Sequence, residues 1–313
     1  MSPAAAGARR APPPEVLRQV RRLELRTRGL VSASFAGEYR SVFKGQGMEF
    51  AEVREYQPGD EVRTIDWNVT ARMGRPFVRM YVEERELTVM IVVDASGSSR
   101  FGTRGRFKSE LAAEFAAVIA LCASRNNDRV GGLLFTDRVE HVVPPAKGRR
   151  HALRLVRDLL VVEPTRTGTS IAAGLDYTLR LLPQRSVVFV VSDFLSPAGD
   201  ARAAYDDERA LDRLARRHDV IAVTVDDPAE RTLPDVGVAR LVDPETGVVA
   251  EIDTSDPRVR RAFADQVCAE HAERAVRFAR WGIDEIAVRT DRGYVEPLMK
   301  FFRRRNARRG RAR

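Results

Sequence analysis

Residues 87–100, LTVMIVVDASGSSR, decide how the rest of this chain is read. An apolar run from Leu87 to Val93 stops at a carboxylate, Asp94. Small residues follow, with hydroxyls on Ser96 and Ser98, at +2 and +4 from the acid. A run that is apolar at nearly every position reads as a strand covered on both faces, because a half-exposed strand would alternate. A strand of that kind belongs to an α/β sheet. In an open sheet of this class the carboxyl ends of the strands are where ligands bind.

Working outward, five further strand-like runs appear: RVGGLLF (129–135), VEHVV (139–143), SVVFVVSD (186–193), DVIAVTVDD (219–227) and DEIAVRT (284–290). Helical patterns cover Phe107 to Ser124, His151 to Leu160, Ile171 to Leu182, Ala201 to Arg217 and Pro257 to Trp281. Strands alternating with amphipathic helices predict an α/β fold with a doubly wound, mostly parallel sheet. The short link TDR predicts an antiparallel edge hairpin from 129–135 to 139–143. ARLVDPETGVVAEI (239–252) predicts a second hairpin turning at Glu245 to Gly247. Upstream, residues 29–86 are rich in Gly, aromatics and alternating charge. They read as a small, largely β subdomain with a short helical piece near Ile65 to Ala71. The resulting division is a basic, Pro-rich tail over 1–14, an N-terminal helix and small β-rich subdomain over 15–86, the α/β domain over 87–302, and an Arg-rich disordered tail over 303–313.

The net charge of +9 is concentrated at the ends. Residues 303–313 contain seven arginines and no acid, and residues 1–28 carry +5, which leaves 9 − 7 − 5 = −3 for residues 29–302. Such basic blocks read as solvated tails that could bind nucleic acid or anionic lipid nonspecifically. Arginine without interleaved aromatics offers no stacking platform, so specific nucleic-acid binding is the weaker alternative. No apolar run approaches the ~18 residues of a membrane span, and the N-terminus has no signal-peptide core, so a cytoplasmic protein is expected. Cys122 and Cys268 form no Cys-x-x-Cys pair and read as buried free thiols.

The chemistry gathers at strand ends. One strand ends in Asp94 with Ser96 and Ser98 behind it; another ends in Asp193; between them TRTGTS (165–170) places Thr169 just before a helix. Two carboxylates and three hydroxyls are an all-oxygen set suited to a hard cation such as Mg²⁺, or to Mn²⁺ or Ca²⁺. Neutral hydroxyl ligands would leave such an ion electrophilic. The alternative is that Asp94 and the serines only cap the following helix.

Asp94-Ala95-Ser96-Gly97-Ser98, with Thr169 and Asp193, resembles the metal-ion-dependent adhesion site of von Willebrand factor type A domains. GMEFAEVREYQPGDEVRTIDWNVTARMGRP (47–76) is similar to the signature of the bacterial family called domain of unknown function 58, a likeness that spans roughly residues 30–300. The resemblance implies a von Willebrand factor A-like sheet domain. It also implies metal ligation by the hydroxyls of Ser96, Ser98 and Thr169, with Asp94 and Asp193 acting through coordinated waters and a partner's Glu or Asp taking the open position. In that family the domain is typically encoded beside a MoxR-type AAA ATPase. The implied role is therefore a non-enzymatic adaptor between that ATPase and a client protein in chaperone-like complex assembly. Many relatives have membrane segments near the N-terminus, and this chain shows none.

Other readings are weaker. GTRGRFKS (102–109) nearly fits a phosphate-binding loop, but Phe107 stands where a glycine must let backbone amides wrap a phosphate. On that reading Phe107 opens the apolar face of a helix and Lys108 is solvated. For a metal-dependent hydrolase, Gly168 to Ala172 falls one glycine short of a nucleophile elbow. His141, His151, His218 and His271 show no metal-ligand spacing. Asp60, Arg63, Asp66 and Arg72 are expected to form a polar network joining the β subdomain to the α/β domain, with a partner surface as the alternative.

Overall fold

The computed structural model describes residues 21, 33–43, 49–82, 86–103, 105–195 and 200–311. In chain order its elements are α1 (Ala33–Phe43), β1 (Glu49–Glu55), α2 (Trp67–Met73), β2 (Phe77–Val82), β3 (Thr88–Asp94), α3 (Lys108–Arg125), β4 (Arg129–Phe135), β5 (Val139–Ala146) and α4 (Arg149–Val161). They continue with α5 (Ile171–Leu181), β6 (Val187–Ser192), α6 (Ala201–Arg217), β7 (Asp219–Asp226), β8 (Val238–Val242), β9 (Val249–Asp253), α7 (Pro257–Arg280), β10 (Asp284–Arg289) and α8 (Val295–Arg311).

Six strands form one sheet in the order β10-β7-β6-β3-β4-β5. Every neighbouring pair is parallel except β4 and β5, the expected antiparallel edge hairpin. The chain leaves β3 toward β4 and β5, then returns to β3's other side with β6. The order therefore reverses between β3 and β6, and the crevice at their carboxyl ends is where this topology places a ligand.

Side chains alternate across the sheet. Val89, Ile91 and Val93 of β3 join one buried cluster with residues of α1, α3, α4 and α8, while Met90 and Val92 join another with residues of α5, α6 and α7. Both faces are covered, which is why the strand sequences carry so few polar residues.

The structure differs from the sequence reading at both ends. Residues 303–311 are not a separate disordered tail: they continue α8, which begins at Val295. Phe301 and Phe302 are buried in the core, and Arg305 pairs with Asp219 and Asp284. Arg308 adds a hydrogen bond to Asp284 at 2.8 Å. The run of arginines looks solvated by composition, but acids at the starts of β7 and β10 receive it. Residues 33–43, assigned to the N-terminal subdomain, are also part of the α/β body, where Tyr39, Val42 and Phe43 of α1 pack in the core. The Phe43 ring meets those of Phe301 and Phe302 at 6.5 and 6.1 Å between centroids. The expected N-terminal helix over 15–28 lies outside the described residues apart from Arg21.

The β-rich piece is smaller than expected, an antiparallel pair of β1 and β2 with α2 between them. Asp60, Arg63, Asp66 and Arg72, read together as one polar network, have separate settings. Asp60 pairs with Arg54 at 2.6 Å, and Asp66 caps α2 by accepting the amides of Asn68 and Val69. Arg63, Trp67 and Arg72 are exposed. Cys122 is buried, whereas Cys268, read as buried from the sequence, is exposed on α7.

Candidate metal centre

Hydrogen bonds from the chain around it hold Asp94 at the end of β3. Its Oδ1 accepts the Ser96 amide at 2.9 Å, and its Oδ2 accepts the Ser192 hydroxyl at 2.7 Å. The chain then makes one 3-10 turn, Gly97–Arg100. That turn sets the Ser96 and Ser98 hydroxyls 3.1 Å apart. The geometry answers why the hydroxyls sit at +2 and +4: both return to the same side of the loop. Ser96 makes no side-chain bond to the turn it precedes, while Asp94 accepts the Ser96 amide at the start of that turn.

Thr169 precedes α5. The Ser170 amide bonds the Thr136 carbonyl, and the Gly97 amide bonds the Thr167 carbonyl at 2.7 Å, which brings the two loops together. Asp193 follows β6. Its main chain turns through Phe194, a non-glycine residue in the left-handed region at φ 57°. The Ser192 hydroxyl accepts the Phe194 amide at 2.9 Å, the Phe194 ring packs edge-on against Phe278, and the buried Arg274 guanidinium bonds the Asp193 carbonyl at 2.8 Å. A conformation that costs about 1–3 kcal/mol in isolation is therefore supported from three sides. Asp94, Ser98 and Asp193 line one small cleft with Ser192 and Lys108.

Asp94, Ser96, Thr169 and Asp193 are all buried. Burial, with the charge of Asp193 beside it, pushes the Asp94 carboxyl up to about 7. Burial is the larger cause, because it disfavours the charged carboxylate. Among the described residues, no group of three or more His, Cys, Asp or Glu side chains is arranged to hold a metal. An ion here would depend on the hydroxyl oxygens, a chemistry that suits a hard cation.

Three residues of this site escape sequence reasoning. Lys108, read as solvated, is buried: its ammonium bonds Asp193 at 2.8 Å and Glu230 at 2.6 Å. Burial disfavours its charge, but the two carboxylates outweigh that and hold the ammonium above its ordinary range. Phe107, not Lys108, is the exposed member of the pair. Ser192, the residue before Asp193, orients Asp94. Glu245, at the tip of the β8–β9 hairpin, accepts the Thr169 hydroxyl at 2.5 Å. Burial raises its carboxyl above the ordinary value, the Thr169 bond opposes this, and the charges of Asp193 and Asp243 reinforce it. The only local signal for Glu245 is the turn that presents it.

Among the described residues no helix is long and apolar enough to cross a membrane. Solved structures similar to this chain include the conserved hypothetical protein BatB from Bacteroides thetaiotaomicron, at 18% identity and a TM-score of 0.44, covering 71% of this chain and 99% of that one. A von Willebrand factor type A structure from Catenulispora acidiphila shares 12% identity at a TM-score of 0.42, covering 74% of this chain and 43% of that one. In sequence, the chain is 35% identical over 298 residues to the uncharacterized protein Rv1480 of Mycobacterium tuberculosis, covering 94% of this chain and 92% of the relative. Residues 52–273 match the family described as "Protein of unknown function DUF58", and the chain belongs to that family.

Proposed function

We propose that this protein is a metal-dependent protein-binding module and not a catalyst. The observation that supports the reading is that the Ser96 and Ser98 hydroxyls lie 3.1 Å apart beside Asp94, which feels the charge of Asp193, on a loop bonded to the one carrying Thr169, where the strand order reverses. In this reading Ser96, Ser98 and Thr169 hold Mg²⁺, Mn²⁺ or Ca²⁺ through their hydroxyls, and Asp94 and Asp193 hold it through water. The ion would supply a Lewis-acidic position for a carboxylate. The chain's own contribution is orientation: Ser192 aims Asp94, Arg274 and Phe278 set the Asp193 turn, and the Thr167 carbonyl ties the two loops. Beside Asp94 a cleft of about 360 Å³, lined by Ser99, Arg100, Leu159 and Glu163 among others, offers room for a partner's side chains.

By family resemblance the partner is a MoxR-type AAA ATPase, with a client protein offering Glu or Asp to the ion. The test is the affinity for the ATPase encoded beside this gene, measured with Mg²⁺, with chelator, and with Ser96→Ala. Loss of affinity in the last two supports the reading. Equal affinity in all three refutes it, as does turnover of phosphoesters or peptides that Asp94→Ala abolishes.

A further inference from the structure

The β8–β9 hairpin has no role in the sheet. It forms a separate two-stranded sheet, and Val238, Val242 and Val249 along it are exposed. Its tip, by contrast, is held tightly in place. Asp243 braces the turn by accepting the Glu245 amide at 2.9 Å and the Thr246 hydroxyl at 2.6 Å, and the Gly247 amide closes on the Asp243 carbonyl. The braced tip lies on the Asp94–Ser98 loop. A Cβ added to Gly97 would come within 2.3 Å of the Pro244 carbonyl oxygen, so only glycine permits this approach. The Thr167 hydroxyl reaches the Glu245 carbonyl at 3.3 Å. The Glu245 side chain is directed inward, where it takes a hydrogen bond from the Thr169 hydroxyl. That hydroxyl belongs to the candidate metal centre.

We infer that Glu245 is an internal carboxylate ligand of this centre, occupying the position a partner's acid would take, so that the β8–β9 hairpin is a displaceable plug over the site. The inference rests on the metal-site reading and adds a residue and a regulatory step to it. A carboxylate already bonded to one of the three hydroxyl donors, on a tip packed against the loop that carries the other two, shares their ion when one is present, since a hard cation takes carboxylate oxygen readily. An acidic partner must then compete with a tethered ligand, and docking requires the hairpin to lift. The exposed valines mark a segment with little apolar contact to the body, which is the property of an element that opens locally.

The test titrates Mn²⁺ into the chelator-treated full chain by calorimetry, for wild type, Glu245→Ala, Glu245→Gln and Asp94→Asn. Amide exchange over 238–253 is followed with and without Mn²⁺. The expected result is that both Glu245 variants lose at least about tenfold in Mn²⁺ affinity, the scale on which supporting residues of metal sites act. Mn²⁺ should slow exchange of the hairpin in wild type but not in Glu245→Ala. If Asp94→Asn loses Mn²⁺ while both Glu245 variants bind it as tightly as wild type or more tightly, the internal-ligand inference alone is overturned. If wild type takes no Mn²⁺, or Asp94→Asn binds it as wild type does, the metal-site reading fails and the inference falls with it.

Discussion

Replacing Lys108 by Met probes the electrostatic frame of the site. The ammonium is 3% exposed and lies 2.8 Å from an Asp193 carboxylate that is 5% exposed. At that separation, an effective dielectric of about 20 gives an attraction of roughly 6 kcal/mol. Removing both charges from water costs several kcal/mol each, so the pair as a whole contributes little net stability. Taking away one partner is different, because it leaves Asp193 buried and uncompensated, at a cost of about 3–5 kcal/mol. Glu230, 2.6 Å away and 25% exposed, is better screened and adds less. Urea unfolding of the chelator-treated protein at neutral pH, followed by far-ultraviolet circular dichroism, measures the loss. Asp193→Asn in the same background should recover part of it, because a neutral amide needs no counter-charge. That sign of coupling in the double-mutant cycle is specific to a buried pair. A loss below about 1 kcal/mol for Lys108→Met, or a double variant whose losses simply add, would show that the pair behaves like a solvated surface contact and would refute the reasoning.

Three further outcomes follow from packing and burial. Phe302→Ala, at a position with no exposure, should cost about 3–5 kcal/mol in thermal or urea unfolding. Deleting 304–313 should also destabilise, by at least about 1.5 kcal/mol, because it removes the Arg305 pairs with Asp219 and Asp284. His218 is buried, accepts the Ser186 amide on Nδ1 and has no partner on Nε2. Burial, with Arg217 and Arg185 nearby, pulls it from 6.5 down to about 4. The unfolded chain therefore binds this proton before the folded one does. The contribution, up to about 3 kcal/mol, is complete above pH ~6.5 and is lost as pH falls toward ~4. Unfolding measured across that range should show a shallower acid slope for His218→Asn than for wild type.

Strands β3, β4, β6 and β7 were legible because each is a short, largely apolar run whose character depends on its own residues. The edge hairpin was legible from a three-residue link, and the β8–β9 turn from its turn residues. Asp94, Ser96 and Ser98 lie within five residues of one another, and Asp193 ends a second apolar run, so their shared location needed only the rule that parallel strands finish on the same edge. Thr169 was legible as the residue leading into a helix between those strands.

What tertiary structure alone decided is long-range. Lys108 and Asp193 are 85 residues apart, and Thr169 and Glu245 are 76 apart. Nothing near Lys108 in the chain distinguishes a solvated lysine from one buried between two carboxylates, and nothing in DPETG marks a carboxylate aimed at another loop's hydroxyl. The arginines of 303–311 give the same lesson at the opposite end of the chain. Composition made them a solvated tail, and they became the last turns of a core helix because Phe301 and Phe302 anchor it and acids at two strand starts receive its charge. Local sequence determines which segments can be buried, but a charged side chain's environment is set by whichever distant groups the folded topology brings to it.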